Sequence, residues 1–252
     1  MGVFKVRSFY INLAVSVDRR EWFDTQASRL GLDIERFDAV SKASIADSVA
    51  AQFNVSKEAV ACFFSHRAIW KEIADGSDGF AAIFEDDAHL SADLPGFLND
   101  VSWIPADADI VHLERWGKRF VGIETGQRAL GRKLYQAFSG FAGTAAYIIS
   151  RECAAKLHAT FTQINQEFDQ HLFNDGLPGL KIYKIGPALC IQDRFTAAPR
   201  FPSVIVRHET PKRIRAPGAV LREVARVYKR LDSFAVRCLR LRRPRLIAIK
   251  IK

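Results

Sequence analysis

Three consecutive acidic residues, Glu85, Asp86 and Asp87, directly follow the apolar run of residues 80–84. Clustered carboxylates repel one another unless a cation joins them. Their hard oxygen atoms suit Mg²⁺ or Mn²⁺, cations that also bind the oxygens of a diphosphate. The pattern therefore predicts a divalent-metal site. The alternative interpretation is a solvated turn, because the ends of strands are often acidic.

The elements that would position these acids begin with a strand, a helix and a second strand. Residues 9–13 are apolar and predict a strand, and residues 33–37 predict the next one. Between them, Asp18 and Glu21 have the spacing of a capping box, which predicts a helix that begins at Asp18 and ends near residue 30. This order favours a βαβ unit with parallel strands.

Later segments continue the α/β pattern. A helix is predicted from Ser56 to about residue 74, because apolar residues recur there at helical spacing. Further strands are predicted at residues 80–84, 109–113, 144–149 and 181–185, and a helix capped by Ser150. The acids then lie at the carboxyl edge of a sheet, where open α/β sheets bind ligands.

Charge is distributed unevenly along the 252 residues, which carry +9 overall. The segment 211–252 has 14 Lys and Arg against two acids, a charge of +12, so the first 210 residues carry −3. Residues 220–241 step through apolar positions at helical spacing, which predicts an amphipathic basic helix. We therefore expect two parts, a folded domain of residues 1–210 and a basic tail of residues 211–252.

The cysteines and the N-terminus bear on the cellular compartment. Cys62, Cys153, Cys190 and Cys238 are far apart and form no C-x-x-C pair, which predicts reduced, buried thiols and no zinc site. The N-terminus has no apolar leader, and no run of 18 apolar residues occurs. We expect a cytoplasmic protein.

Six segments between Phe9 and Ser203 resemble, in order, the motifs of glycosyltransferase family 25, which includes lipooligosaccharide and collagen galactosyltransferases. They are Tyr10-Ile11-Asn12-Leu13 with Asp18-Arg19-Arg20, residues 35–40, the stretch 61–70 with Cys62, Ser65, His66 and Trp70, residues 83–87, the stretch 143–150, and Asp169 with Leu172. Residues 58–61 and Phe168 depart from the family pattern, which bears on acceptor preference more than on the fold.

The resemblance implies a GT-A-like mixed sheet flanked by helices, a UDP-sugar donor (galactose above others), inversion at the anomeric carbon, and Mn²⁺ or Mg²⁺. Alternate side chains of an extended chain diverge, so the three acids cannot all bind one metal. On this hypothesis Asp87 and then Glu85 are the metal ligands, and Asp86 faces the sugar hydroxyls.

An inverting transfer needs a carboxylate that takes the proton of the acceptor hydroxyl. Asp169 is the candidate, because it begins a short helical segment after a polar stretch. Its alternative role is a helix N-cap. Glu114 and Asp193 are the alternative candidates for the base.

The remaining candidates would bind the donor. Arginine pairs with phosphate in a fork geometry, and glycine allows close backbone approach. The candidates are Asn12, Arg19, Arg20, Asp38, Ser65, His66, Asp86, Gly143 and Thr144, and Gln192 would line the acceptor cleft. Each has a structural alternative, such as a solvated helical turn for Arg20, and for His66 a core histidine is the favoured one.

Other functional classes remain open from the sequence. The same acids could serve a metal-dependent phosphohydrolase or nuclease. The basic tail could direct a binding module to nucleic acid or to a membrane, although its only aromatic residues, Tyr228 and Phe234, offer little stacking for nucleic acid. In the glycosyltransferase hypothesis the tail docks on anionic lipid at the inner face of the membrane, and brings the enzyme to a lipid-linked glycan acceptor. A solvated helix packed on the body is the alternative.

Overall fold

The computed structural model describes residues 5–115, 117, 119–176, 179–201 and 245–248. A mixed sheet of eight strands, joined at one edge by a ninth, is flanked by helices. In chain order the main elements are β1 (Arg7–Asn12), α1 (Val17–Arg29), β2 (Glu35–Asp38), α2 (Asp47–Ala50), α3 (Lys57–Asp75), β3 (Phe80–Glu85), β4 (Ala88–Leu90), α4 (Leu94–Leu98), β5 (Ile110–His112), β6 (Arg119–Ala129), β7 (Arg132–Ser139), β8 (Ala146–Ser150), α5 (Arg151–Thr160), β9 (Ile182–Gly186), β10 (Cys190–Gln192) and β11 (Arg245–Ala248). The predicted α/β class with a mixed sheet is confirmed.

The first half of the sheet is parallel, as the βαβ pattern predicts. β1 lies between β2 and β3 and pairs with both in parallel, so Asn12, Asp38 and Glu85 lie at one edge. The predicted N-cap at Asp18 is wrong, because Ser16 is the N-cap and Asp18 lies in the first turn. Asp18 in the first turn is still stabilised by the positive end of the helix dipole. The capping-box pattern thus placed the start of the helix two residues too late.

The second half of the sheet is largely antiparallel. The sheet order is β11-β6-β7-β9-β5-β8-β3-β1-β2, and β8 pairs antiparallel with both β3 and β5. Its outer part is the β6–β7 hairpin, which the sequence patterns did not predict. A separate pair, β4 with β10, brings Gln192 beside the segment that follows β3.

Helix α3 is the element that connects the core to the edge of the sheet. Ser56 caps it by accepting a hydrogen bond from the backbone N–H of Ala59, and its apolar face, with Phe63, Ile69 and Trp70, is buried against the sheet and α5. Ser150 caps α5 in the predicted way, through the N–H of Cys153. A second apolar cluster fills the opposite side of the sheet around Phe23, Phe84 and Phe97.

The predicted amphipathic helix at residues 220–241 lies outside the described residues. Strand β11, which falls within the segment 211–252, pairs antiparallel with β6 at the edge of the sheet. Within the described ranges, none of the helices has the length and apolar character needed to cross a bilayer.

Candidate active site

A cavity of about 320 Å³ opens where β1 and β3 end. Its walls come from the loop after β1, the loop after β2, one face of α3, the backbone before β8 and the segment around Asp169. The charged and polar residues that line it include Arg19, Lys42, Glu58, Cys62, Ser65, His66, Glu85, Asp86, Asp87, Thr144, Asp169, Gln192 and Arg194. Its position at the carboxyl ends of parallel strands is the one expected for a ligand site.

Glu85 and Asp87 converge at one point in this cavity. The side-chain amide nitrogen of Gln192 lies 3.2 Å from Glu85 Oε2 and 3.3 Å from Asp87 Oδ2. The Thr144 hydroxyl donates a hydrogen bond to Glu85 Oε1, with 2.5 Å between the two oxygen atoms. Asp87 Oδ1 is buried and has no hydrogen-bond partner among the residues that the structure describes. We call Glu85 and Asp87 the acid pair.

The electrostatics of the acid pair favour a bound cation. Burial, together with the neighbouring charge of Glu85, raises the pKa of Asp87 to about 7. The Arg19 guanidinium acts in the other direction, but its Nη1 lies 3.7 Å from Asp87 Oδ2 and only 2.9 Å from Asp86 Oδ1. Asp87 is therefore a largely buried acid whose charge the protein only partly compensates.

Asp86 is engaged by protein groups. Its Oδ1 accepts from Arg19 and its Oδ2 accepts from the side-chain amide of Asn12, at 2.9 and 2.7 Å. The expected alternation is confirmed, because Asp86 turns away from the acid pair. Asp86 borders the cavity, but both of its oxygens are bonded to Asn12 and Arg19, and this fixes the loop that carries the acid pair.

Asp169 lines the cavity on a different segment from the acid pair. Its Oδ2 accepts the backbone N–H of Gly143 at 2.9 Å, and its Oδ1 accepts the N–H of Gln170 at 2.8 Å. A helix with π-type hydrogen bonding follows at Gln170–Gly176, close to the predicted helical segment. These two backbone contacts fix the Asp169 carboxylate at the cavity wall.

Gly143 is required for a reason that the sequence does not show. Its φ is +86°, and a Cβ at this position would lie 2.5 Å from Glu114 Oε2. Glu114 in turn accepts the backbone N–H of Ala145 at 2.9 Å. The glycine thus allows the backbone that holds Asp169 to pass directly over a buried carboxyl group.

Behind this backbone lies a cluster that we call the buried cluster, formed by His112, Glu114 and Lys184, all fully buried. Lys184 Nζ donates to His112 Nδ1 over 2.5 Å, and His112 Nε2 lies 2.9 Å from the carbonyl oxygen of Gly143. Because Nδ1 accepts, Nε2 carries the proton and donates it to Gly143. Burial lowers the pKa of Lys184 to about 7, although the negative charge of Glu114 acts to raise it. Burial also raises the pKa of Glu114 well above its usual range.

Neither alternative base reaches the cavity. Glu114 lies beneath Gly143 and does not line the cavity wall. Asp193 is 1% exposed, and its oxygens bind His89 and the backbone N–H groups of Arg200 and Phe201. Both expectations are corrected, because each carboxyl group serves internal contacts.

The donor candidates on α3, and Gly143 and Thr144 in the segment before β8, reach the cavity. Ser65 lines it, but its hydroxyl accepts from Val40 N–H and donates to the Ala61 carbonyl, so it ties the loop after β2 to α3. His66 is buried and its Nδ1 lies 2.8 Å from the Tyr147 hydroxyl, as a core histidine would be. Its Nε2, however, faces Glu85 Oε1 at 3.8 Å.

Three donor candidates do not line the cavity. Asn12 is buried and binds Asp86 and Arg36 through its side chain. Asp38 is largely exposed and pairs with Arg36. Arg20, one position beyond Arg19, does not contribute to the wall. The structure therefore turns only Arg19 of the first helical turn toward the acids.

Arg194 is a site residue that sequence reasoning missed. It lines the cavity, its charge acts on Glu85, and its Nε is buried without a hydrogen-bond partner in the described part of the chain. The available signal was its position two residues after Gln192, itself a site candidate. Lys42 also lines the cavity and pairs with Glu58.

The cysteines divide between the core and the cavity. Cys153 and Cys190 are buried free thiols, as predicted, and Cys238 lies outside the described residues. Cys62 is only partly buried, and it lines the cavity. Burial and then the charge of Glu85 raise the pKa of the Cys62 thiol well above its usual range, so without a cation it stays protonated.

Comparison with known proteins gives a consistent result. The family model described as glycosyltransferase family 25 (LPS biosynthesis protein) matches residues 6–172. A lacto-N-neotetraose biosynthesis glycosyltransferase, LgtE of Neisseria meningitidis, is 29% identical over 75% of this chain and 74% of its own length. The lipooligosaccharide biosynthesis protein lic2B of Haemophilus influenzae is 24% identical over 74% of this chain and 76% of its own. Procollagen galactosyltransferase 1-A of Xenopus laevis is 27% identical over 59% of this chain and 27% of its own.

Proposed function

Because this chain belongs to glycosyltransferase family 25, we propose that it transfers galactose from a UDP-sugar to a glycan acceptor in lipopolysaccharide or lipooligosaccharide synthesis, with inversion at the anomeric carbon. The names of the relatives support the substrate class, since they include lipooligosaccharide biosynthesis proteins and a galactosyltransferase. Family membership does not favour the phosphohydrolase, nuclease and binding-module alternatives.

The observation that carries this proposal is the acid pair in its cavity. Two carboxylates converge there, and Asp87 has a buried oxygen without a partner among the described residues. All-oxygen donors of this kind fit Mg²⁺ or Mn²⁺. Glu85 and Asp87 would hold the cation, which when bound neutralises charge on the departing UDP.

Cationic side chains of the cavity support the diphosphate position. Arg194 has no carboxylate within salt-bridge distance among the described residues, so its guanidinium is available to phosphate oxygens. Arg19 is bound to Asp86 and holds the loop of the acid pair. The two arginines therefore have different roles, Arg194 as a ligand-binding residue and Arg19 as a positioning residue.

The nucleoside would lie over the ends of β1 and β2. That part of the wall is formed by Leu13, Val15, Ala39 and Val40. Val15 is 87% exposed, so its side chain is open to a ligand at the rim of this wall. An apolar wall with nearby backbone polar groups suits a base and ribose.

Asp169 is the proposed catalytic base. Backbone N–H groups of Gly143 and Gln170 hold its carboxylate at the cavity wall. It takes the proton of the acceptor hydroxyl as that oxygen attacks the anomeric carbon and the bond to UDP breaks. The segment that carries Asp169 is separate from that of the acid pair, and both line the same cavity.

The cellular setting is part of the same proposal. The enzyme works in the cytoplasm, where UDP-sugars are made. The basic segment 211–252 brings it to anionic lipid at the inner face of the membrane. The charge of +12 on that segment supports this, and its aromatic residues, Tyr228 and Phe234, offer little stacking for nucleic acid.

The test is hydrolysis or transfer with a panel of UDP-sugars, in Mn²⁺, in Mg²⁺ and with chelator. We expect metal-dependent release of UDP from one sugar. The rate should fall in Asp87→Asn and stay unchanged in Asp75→Asn, a matched control whose exposed carboxylate pairs with Lys71 on α3. If the rate of UDP release is the same with chelator as with metal, and the same in Asp87→Asn as in the wild type, the metal assignment is refuted.

A further inference from the structure

Cys62, His66 and Glu85 form a second group of potential ligands in the wall of the cavity. Cys62 and His66 lie four residues apart on α3, so their side chains project from the same face of the helix. Glu85, at the end of β3, faces them. One ligand atom from each of the three residues lies within 4.8 Å of the other two. The separation of His66 Nε2 and Glu85 Oε1, 3.8 Å, is close to that of two ligands on one tetrahedral ion.

The imidazole of His66 points at this group and is held there. His66 is 1% exposed, and its Nε2 is buried with no hydrogen-bond partner among the described residues. Its Nδ1 lies 2.8 Å from the Tyr147 hydroxyl, which also accepts from Trp70 Nε1 at 2.9 Å. The ring of Phe168 packs on the imidazole at a centroid distance of 4.7 Å. The ring is therefore fixed with one nitrogen aimed at Cys62 and Glu85.

The donor atoms differ in kind from those of the acid pair. A thiolate, an imidazole and a carboxylate are the ligands that Zn²⁺ takes in proteins, and three protein ligands leave the fourth position for water or another group. Mg²⁺ and Mn²⁺ prefer oxygen ligands. In zinc-binding histidines the second ring nitrogen is usually hydrogen-bonded, as Nδ1 is here to Tyr147.

We propose that Cys62, His66 and Glu85 bind a thiophilic divalent cation, Zn²⁺, at a site distinct from the acid pair but sharing Glu85 with it. On binding, a Zn–S bond forms and the thiol proton leaves to solvent. One thiolate and one carboxylate then balance the charge of the ion. The spacing of the cysteines favours no zinc site built from cysteine pairs, but here one cysteine is joined by a histidine and a glutamate.

The shared ligand has a consequence for activity, and this part rests on the proposed function. Glu85 bound to Zn²⁺ is removed from the acid pair, so the site for Mg²⁺ or Mn²⁺ loses one of its two carboxylates. Thr144 and Gln192, which bond to Glu85, would hold its carboxylate in either arrangement. Zn²⁺ should therefore inhibit turnover that Mn²⁺ supports.

The test is cobalt titration of the full-length, chelator-treated protein, since Co²⁺ reports both thiolate ligation and tetrahedral geometry in its absorption. We expect a thiolate-to-cobalt charge-transfer band that saturates at one equivalent and is displaced by Zn²⁺. The band should be lost in Cys62→Ala and in Cys62→Ser, and kept in Cys153→Ala, which removes a thiol outside the group. Circular dichroism of each variant confirms that it is folded.

The outcomes separate this site from the proposed function. Co²⁺ bound only to the acid pair gives no thiolate band, so a missing band in the wild-type protein overturns the proposal. A band that persists in Cys62→Ala also overturns it, because another thiol would then be the ligand. A protein that turns over no UDP-sugar but shows a Cys62-dependent band would sink the proposed function and leave the zinc site standing.

Discussion

The acid pair and the buried cluster lie close together at one edge of the sheet, yet they accommodate buried charge in different ways. In the buried cluster, burial shifts the pKa of Glu114 up and that of Lys184 down to about 7, so both groups approach neutrality. In the acid pair, the pKa of Asp87 is also raised to about 7, but Asp87 borders a cavity. The buried cluster does not line the cavity, although Glu114 Oε1 has no hydrogen-bond partner in the described part of the chain, whereas the acid pair is open to a ligand.

The difference indicates which buried polar groups serve structure and which serve binding. Lys184, His112 and the Gly143 carbonyl form a chain of hydrogen bonds that ends at the backbone holding Asp169. The buried cluster therefore supports the site from behind without touching a ligand. Substitutions in the two regions should separate effects on activity from effects on stability.

The largest effect is expected for Asp169→Asn. Loss of the base should lower kcat about 10³-fold, the middle of the range for such groups, while UDP binding is retained. Steady-state kinetics and calorimetric UDP titration would measure both. Asp193→Asn is the matched control: it should lower the free energy of unfolding by about 1–2 kcal/mol through weaker backbone contacts and leave kcat largely unchanged. If kcat falls in Asp193→Asn and not in Asp169→Asn, the base is Asp193 and the assignment of Asp169 is wrong.

Gly143→Ala tests the contact between Glu114 of the buried cluster and the backbone that holds Asp169. The new Cβ would meet Glu114 Oε2 at 2.5 Å and shift the backbone that holds Asp169, so we expect a loss of about 10²-fold in kcat. Gly131→Ala is the control, because Gly131 has a similar φ of +81° but open space around it. It should cost stability only. Equal kinetic losses in both variants would contradict the role assigned to the Glu114 contact.

Lys184→Met should act on stability. His112 Nδ1 loses its donor, which costs about 1–3 kcal/mol. The folded-state pKa of Lys184, about 7, lies below its unfolded value, so wild-type stability gains from this residue as pH rises from about 7 toward 10. The variant lacks that gain and should be more destabilised at pH 9 than at pH 7. Denaturant unfolding at both values would measure this, and an unchanged difference would mean that Lys184 is not held neutral.

Asp87→Asn should shift stability with pH in the opposite direction. The pKa of Asp87 is raised by folding, so metal-free wild-type protein loses stability as pH rises from about 4 to about 7. The variant avoids that loss and should melt a few degrees higher than wild type at pH 8 without metal. Added Mn²⁺ should raise the melting temperature of the wild type more than that of the variant. A variant that melts lower at pH 8 would show that Asp87 is already compensated.

Asp38→Asn should have the smallest effect. The carboxylate is exposed, pairs with Arg36 and does not line the cavity. We expect UDP affinity within about threefold of wild type, since exposed ion pairs contribute little. A larger loss, measured by the same calorimetric titration, would mean that the nucleotide extends beyond the cavity to the end of β2.

Local patterns predicted much of the fold near the acids. The apolar run of residues 80–84 with acids at its end, the helical spacing from Ser56, and the cap at Ser150 are short-range signals, and each is confirmed within a few residues. The β6–β7 hairpin was missed because β6 carries Gly122, Gly126 and several exposed polar residues, so it lacks clean alternation.

The partners within the site could not be predicted, because they are distant in sequence. The bond between Asn12 and Asp86 joins residues 74 apart, and that between Gln192 and Asp87 joins residues 105 apart. Sequence spacing identified Asp86 as a candidate but not that its oxygens are already bonded. The resemblance to the family identified His66, but the free Nε2 beside Glu85 and Cys62 depends on the packing of α3 against β3.

The most direct test of the central claim, that the acid pair binds a cation which in turn binds the nucleotide, is calorimetric titration of UDP into wild-type protein and Asp87→Asn, with Mn²⁺ and with chelator. The account predicts that Mn²⁺ strengthens UDP binding to the wild type by about tenfold or more, and that it has little effect on Asp87→Asn. Equal UDP affinity in Mn²⁺ and in chelator for the wild-type protein would contradict it.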